Sequence, residues 1–240
     1  MHKIDEIIIL DKESPLHSGL KKIKNFGIIT ESELEEYIFS CSKSLSAISS
    51  CLDKAKLSIS FLDINHLDLI CTEDRSRGDY VELLVENTII RVQSIYDRTL
   101  IFTNRLLDLG ISNDSINHNL LVTNEKVKAY KLDIKLKSIS KACNEYRTIR
   151  NTVIHHDRYS EEDLDRLALV MKADHLSRET SGEPFIDADT LKEITDAYLT
   201  IKREDLSEYL ERIEARITDL YDSAIPIYIH YKDKMRTPAS

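Results

Sequence analysis

The stretch LDIKLKSISKACNEYRTIRNTVIHH, Leu132 to His156, decides the fold. In it Leu132, Leu136, Ile139, Cys143 and Tyr146 follow one another at steps of four and three residues, and Val153 comes after them. A helix turns once in about 3.6 residues, so this rhythm draws an apolar stripe down one helical face. Arg150 takes the next slot in the series. A guanidinium in a dry interior is costly unless a partner or a cavity receives it. The position is therefore either ion-paired or open to a functional cleft.

The same rhythm extends on both sides. Thr30-Glu31-Ser32-Glu33 reads as a capping box that opens a first helix. Leu34, Ile38, Cys41, Leu45, Ile48, Leu52, Ala55, Ile59 and Leu62 follow, so one rod to about Ile70 is expected. Thr72 to Asp79 reads as a charged turn. A second helix, about Tyr80 to Leu109, carries Val81, Val85, Val92, Ile95, Phe102, Leu106 and Leu109, with Gly110 placed to end it. Ile111 to Asn124, rich in Asn and Ser, reads as a connection, and the motif helix as about Glu125 to Ile154.

Beyond the motif, Ser160-Glu161-Glu162-Asp163 looks like another helix start, with Leu164, Leu167 and Met171 inward and an end near His175. Ser177 to Asp189 reads as a loop. The last long helix, about Thr190 to Tyr221, has Leu191, Ile194, Tyr198 and Ile201 inward, a phase slip at Lys202 to Asp205, then Leu206, Leu210, Ile213, Ile217 and Leu220. Only Ile4 to Leu10 reads as a strand. Glycines and prolines fall between these segments or near the termini, which leaves the expected helix interiors unbroken. The expected architecture is all-α, an antiparallel bundle of four to five helices, three of them long. Residues 1–29 form a short N-terminal arm or strand, 30–221 the bundle, and 222–240 a C-terminal extension, with one domain as the default.

Composition bounds the function. With 42% apolar and 31% charged residues the 240-residue chain reads as a globular protein. It has no apolar run near the roughly 20 residues that cross a bilayer. Ile7 to Leu10 is too short and too acidic in its surroundings for a signal peptide, so a cytoplasmic location without membrane contact is expected. Cys41, Cys51, Cys71 and Cys143 show no Cys-x-x-Cys spacing and suit reduced, buried thiols. A net charge of −9 argues against general nucleic-acid coating. Between Glu125 and Arg158, however, nine basic residues face four acidic ones, a local +5 that leaves −14 for the rest. A basic helix in an acidic body can hold a polyanion locally; the alternative is a solvated lysine face.

Arg150-Asn151, an apolar-ended spacer and His155, near the end of a lysine-rich helix in an all-helical bundle, resemble the HEPN superfamily (higher eukaryotes and prokaryotes nucleotide-binding). Its signature is an arginine, often followed by a polar residue, then four to six residues before a histidine; here there are four. The resemblance implies a bundle that pairs as a homodimer with the two motifs across a composite cleft. In many members it implies a metal-independent endoribonuclease, often a toxin or antiphage effector with a neutralising partner. Other members only bind a nucleotide or a partner protein.

The chemistry fits the residue types. RNA is cut without a metal when a base deprotonates the 2′-hydroxyl, which attacks the adjacent phosphorus, and the charge on the phosphoryl oxygens is stabilised. The product ends in a 2′,3′-cyclic phosphate. Histidine, with an unperturbed pKa of about 6.5, handles the proton. Arginine, planar and always charged, suits the oxygens. His155 is thus the candidate acid/base, Arg150 the transition-state stabiliser, and Asn151, four residues before His155 on one helical face, the orienting group. Arg147, Lys141 and His156 are candidate substrate contacts, with RNA the expected substrate. Two other readings stay open: Arg150 in an ion pair with Glu86 or Asp97 and His155 at a helix C-terminus, or zinc at His155-His156-Asp157. No cofactor is called for: the chain has no Gly-rich phosphate loop, nucleophile elbow or His-Glu-x-x-His. His66 and His175 read as surface or satisfied core residues.

Overall fold

A computed structural model of the chain describes residues 2–17, 23–24, 27–70, 77–146 and 161–236. Among them the architecture is all-α, as expected. In chain order the elements are α1 (Lys3–Ile9), β1 (Ile23–Lys24), β2 (Gly27–Ile28), α2 (Glu33–Ser60), α3 (Ile64–Ile70), α4 (Arg77–Leu106), α5 (His118–Thr123), α6 (Glu125–Ala129), α7 (Leu132–Cys143), α8 (Glu162–Ser181) and α9 (Ala188–Arg236). The three longest helices are α2, α4 and α9, and β1 and β2 form only a short antiparallel pair with Ile23 opposite Ile28.

The elements gather into two compact units. The first holds α1, the β pair, α2 to Cys51, α4 from Ser94, α5, α6, α7 and α9 from Arg212. The second holds α2 from Leu52, α3, α4 to Gln93, α8 and α9 to Glu211. In the first unit Tyr37, buried, donates its hydroxyl to the Leu106 carbonyl at 2.9 Å and stacks on Tyr228 at 5.7 Å. In the second, Asn87 Nδ2 donates to Ser58 Oγ at 2.6 Å, tying α4 to α2.

Several helix boundaries depart from the periodic reading, each for a local reason. The expected strand Ile4 to Leu10 is instead helix as far as Ile9, with Leu10 as its cap. The His2 ring accepts from the Ile4 amide while Asp5 accepts from the His2 amide, a reciprocal cap that outweighs the strand preference of three consecutive isoleucines. Ile4 and Ile8, one turn apart, are fully buried. The expected rod to Ile70 breaks after Ser60, because Asp63 Oδ1 accepts from the Asn65 and His66 amides and starts α3. At the start of α2 the capping side chain is Ser32, which accepts from the Glu35 amide at 3.1 Å, two residues beyond Thr30.

α4 ends at Leu106, short of Gly110, where Asp108 takes φ 44° and the Asn104 side chain clamps both backbone groups of Ile111. The expected helix from Glu125 to Ile154 is divided by Lys131 in the left-handed region at φ 57°, and its second part ends at Cys143. α8 runs six residues past His175 to Ser181, where Gly182 at φ 75° stops it. The last helix does not end at Tyr221 but continues through Pro226 to Arg236. Ala224, Ile227 and Tyr228 keep the stripe buried there, and that packing offsets the roughly 3 kcal/mol a proline costs inside a helix.

The phase slip on the last helix is absent. Ile194 and Ile201 are 46% and 61% exposed, and the buried face runs Thr195, Leu199, Lys202, Leu206, Leu210 and Ile213 without interruption. Among the described residues no helix is long and apolar enough to cross a membrane.

Candidate functional site

Arg147, Arg150, Asn151, His155 and His156 lie outside the described residues, as does Arg150's choice between Glu86, Asp97 and a cleft. The flanks on both sides of the motif are described. α7 leads in. Its stripe of Leu132, Leu136, Ile139 and Cys143 is buried as the spacing requires. Lys141 lies about half a turn around the helix from that stripe and is exposed, beside Lys137, which pairs with Asp133 at 3.0 Å. Lys126, Lys128 and Lys131 are exposed on α6 and the turn after it. Lys126, Lys128, Lys131, Lys137 and Lys141 thus present their charge to solvent.

The end of α7 sits in a dry setting. Burial, then the charge of Asp97, pushes the Cys143 thiol up to about 12, so it stays protonated and unreactive. Burial likewise holds the nearby Tyr96 phenol up at about 12, and its hydroxyl is in hydrogen-bond contact with His118 Nδ1. Cys41 and Cys51 are also free and buried, and Arg98 donates to the Cys51 sulfur at 3.0 Å. These three thiols match the expectation of reduced core cysteines; Cys71 lies outside the described residues. Asn144, at φ −86° and ψ 0°, caps α7 and donates to Ser140 Oγ at 3.2 Å.

The two described residues that bound the motif are both held on α9 within the second unit. Before the motif, the ring of Tyr146 lies 4.7 Å from that of Tyr209, itself buried. After it, Glu161 Oε2 lies 2.5 Å from Lys202 Nζ and accepts from the Tyr198 hydroxyl at 3.2 Å. Lys202 also stands 5.9 Å from the centre of the Tyr198 ring. Burial, and behind it the Glu161 charge, raises the Tyr198 phenol far above its usual range, so it remains a donor. The Lys202 side chain is 7% exposed and that of Glu161 33%.

Sequence reasoning missed this cluster because a lysine on a helix is scored as solvated. The signal was present in the apparent slip: placing Lys202 in the stripe removes it. His66 and His175 are ordinary. His66 lies flat on Phe61 at 4.2 Å, and the exposed His175 stands 3.3 Å from Glu179. No group of three His, Cys, Asp or Glu among the described residues is placed to hold a metal ion.

An all-α bundle whose sequence carries an Arg-Asn-x-x-x-His segment resembles a HEPN-type module. The family model of the Cthe2314-like HEPN proteins matches residues 31–224, most of the chain, and the protein belongs to that family. No curated protein and no solved structure matches it.

Proposed function

We propose that this HEPN-type protein is a metal-independent endoribonuclease acting in the cytoplasm. In this reading His155 moves the proton of the attacking 2′-hydroxyl, Arg150 stabilises the charge gathering on the phosphoryl oxygens, and Asn151 orients the histidine or the phosphate. Arg147, His156 and Lys141 contact the RNA backbone. Two copies of the chain supply a composite cleft, and a neutralising partner restrains a toxin or antiphage activity. The supporting observation is the motif's setting. Arg150-Asn151-Thr152-Val153-Ile154-His155 lies within the family-matched span, and Arg150 comes seven residues after the end of a helix on which Lys137 and Lys141 are exposed. Phosphodiester recognition draws on such charge, and the acidic remainder repels unselective binding.

The test is cleavage of mixed RNA in EDTA. The intact protein is expected to leave 2′,3′-cyclic phosphate ends, while Arg150→Ala and His155→Ala each lose at least about 100-fold in rate, the scale of removing one acid/base or oxyanion-stabilising group. Absence of cleavage at any protein concentration sinks the nuclease and leaves a non-catalytic module that binds a nucleotide or a partner protein.

A further inference from the structure

α8 is apolar on two faces. Leu164, Leu167 and Met171 are buried, while Leu169, Ala173 and Leu176 follow at steps of four and three on the opposite side. Leu169 is 68% and Leu176 48% exposed, with Ala173 half-buried between them. Single exposed leucines are ordinary; a stripe of them at helical spacing marks an interaction surface. A helix that is apolar on opposite faces is covered on both.

Within the same unit α9 carries a second such stripe, Leu191, Ile194, Tyr198 and Ile201, exposed or half-buried. The edge of that stripe turned from the core holds Glu193, Glu204 and Glu208, all exposed. The nearby cations, Lys192 and Arg203, pair with Asp68 and Asp63 at 3.6 and 3.7 Å. Two copies laid together there set acid against acid, which repels.

The edge of the α8 stripe is different. Lys172 and Glu179 are both exposed and seven residues apart, about 20° short of two full turns, so they flank the stripe on the same side. When two copies of the helix run antiparallel about a twofold axis, Lys172 meets Glu179 of the partner subunit, and the reciprocal pair forms by symmetry. Ala173 then lies against Leu176 of the partner subunit, and the small side chain leaves room for close approach. Over this span the other edge, Val170 and Ser177, is uncharged. Arg166, nearer the helix start, is engaged with Glu162, and Asp165, one heptad before Lys172, falls beyond the overlap. A self-complementary face of this kind closes a dimer.

We infer that the outer face of α8 is a homodimer contact: a second copy packs antiparallel on Leu169, Ala173 and Leu176 and pairs Lys172 with Glu179 across the twofold axis. The inference deepens the two-copy element of the proposed function by giving it a surface, and it rests on association, not on catalysis. A contact of about three helical turns is small beside stable interfaces, so association is reversible and concentration-dependent.

Sedimentation equilibrium of the full chain between about 1 and 500 μM tests it. The parent is expected to pass from monomer to dimer in that range, and Leu176→Asp to raise Kd at least about tenfold. Lys172→Glu and Glu179→Lys are each expected to raise Kd at least about threefold, because each sets like charges together at two symmetric places. The double variant Lys172→Glu with Glu179→Lys is expected to return within about twofold of the parent. A parent that stays monomeric overturns the contact and the two-copy cleft together. A dimeric parent whose Kd none of these variants moves overturns the α8 contact and leaves the cleft to another face. Charge variants that weaken association singly without recovery in the double variant overturn the antiparallel pairing. Should Leu176→Asp fail to fold, the charge variants, at exposed positions, decide alone. A dimeric parent without ribonuclease activity defeats the nuclease reading and leaves the α8 contact standing.

Discussion

Tyr198 with Lys202, and Tyr228 with Lys232, are two versions of one device on the same helix. In each, a tyrosine and a lysine one turn later grip a carboxylate brought from far away in sequence, Glu161 in the first case and Asp11 in the second. The versions differ in how exposed the gripped acid is. Asp11 is 5% and Lys232 13% exposed, and Lys232 also pairs with Glu13 at 2.7 Å, which in turn pairs with Arg236. Glu161 is one-third exposed, beside a Lys202 side chain that is 7% exposed. Asp11, Tyr228 and Lys232 lie outside residues 31–224, whereas Glu161, Tyr198 and Lys202 lie inside them and come after the motif. A largely dry grip secures the N-terminal segment to the helix; a grip on a partly exposed acid follows the motif in sequence.

The sharpest way to break the comparison is to remove each acid. Asp11→Ala leaves a buried ammonium with a single, more exposed partner and a phenol with none of its resolved acceptors. It is expected to cost about 3 kcal/mol, a fall in Tm on the order of 5 to 10 °C. Glu161→Ala is expected to cost about 1 to 2 kcal/mol, since water reaches that carboxylate. Urea unfolding of both decides it, and equal losses erase the distinction.

A smaller effect separates the braces. Tyr228→Phe removes a buried hydroxyl that donates to Asp11 at 2.8 Å and is expected to cost about 1 to 1.5 kcal/mol. Tyr198→Phe, at 3.2 Å from a partly exposed acid, is expected to cost about half as much. Thermal melts of the two single variants provide the check.

The smallest effect is pH-dependent. The Arg236 and Lys232 contacts hold the Glu13 carboxyl down at about 2 against an ordinary 4.5. A depressed acid stabilises the fold fully above its unfolded value and loses that contribution as pH falls toward its folded one. Glu13→Gln should therefore flatten the loss of Tm between pH 4.5 and about 2 and leave a slightly lower plateau at neutral pH. Because Glu13 is partly exposed, salt should shrink the difference. A parent and variant that run parallel through that window would remove Glu13 from the brace.

The same contrast shows where the sequence was legible. Leu132, Leu136, Ile139 and Cys143 announced a buried stripe and delivered one, because their spacing and their chemistry agree. Ile194 and Ile201 looked inward and face solvent, while Thr195 and Lys202 took the core. Nothing within the helix distinguishes these faces; Glu161, 41 residues before Lys202, does. Ile4 to Leu10 misled for a related reason, since its strand-like composition yields to the capping by His2 and Asp5 and the burial of Ile4 and Ile8. Of the candidate site, the motif was readable by residue type and spacing alone, and Lys141 stands exposed on α7. Lys202 was hidden because its value depends on a partner that periodicity does not name.

By itself the sequence determined the helical class, the stripes that form the core and the residue chemistry available at the motif, since all three derive from a 3.6-residue turn and from side-chain type. Tertiary structure alone decided where helices stop, which of two candidate faces turns inward, and which lysine is dry. Those outcomes depend on long-range partners whose free energy exceeds the small local preferences that a single segment expresses.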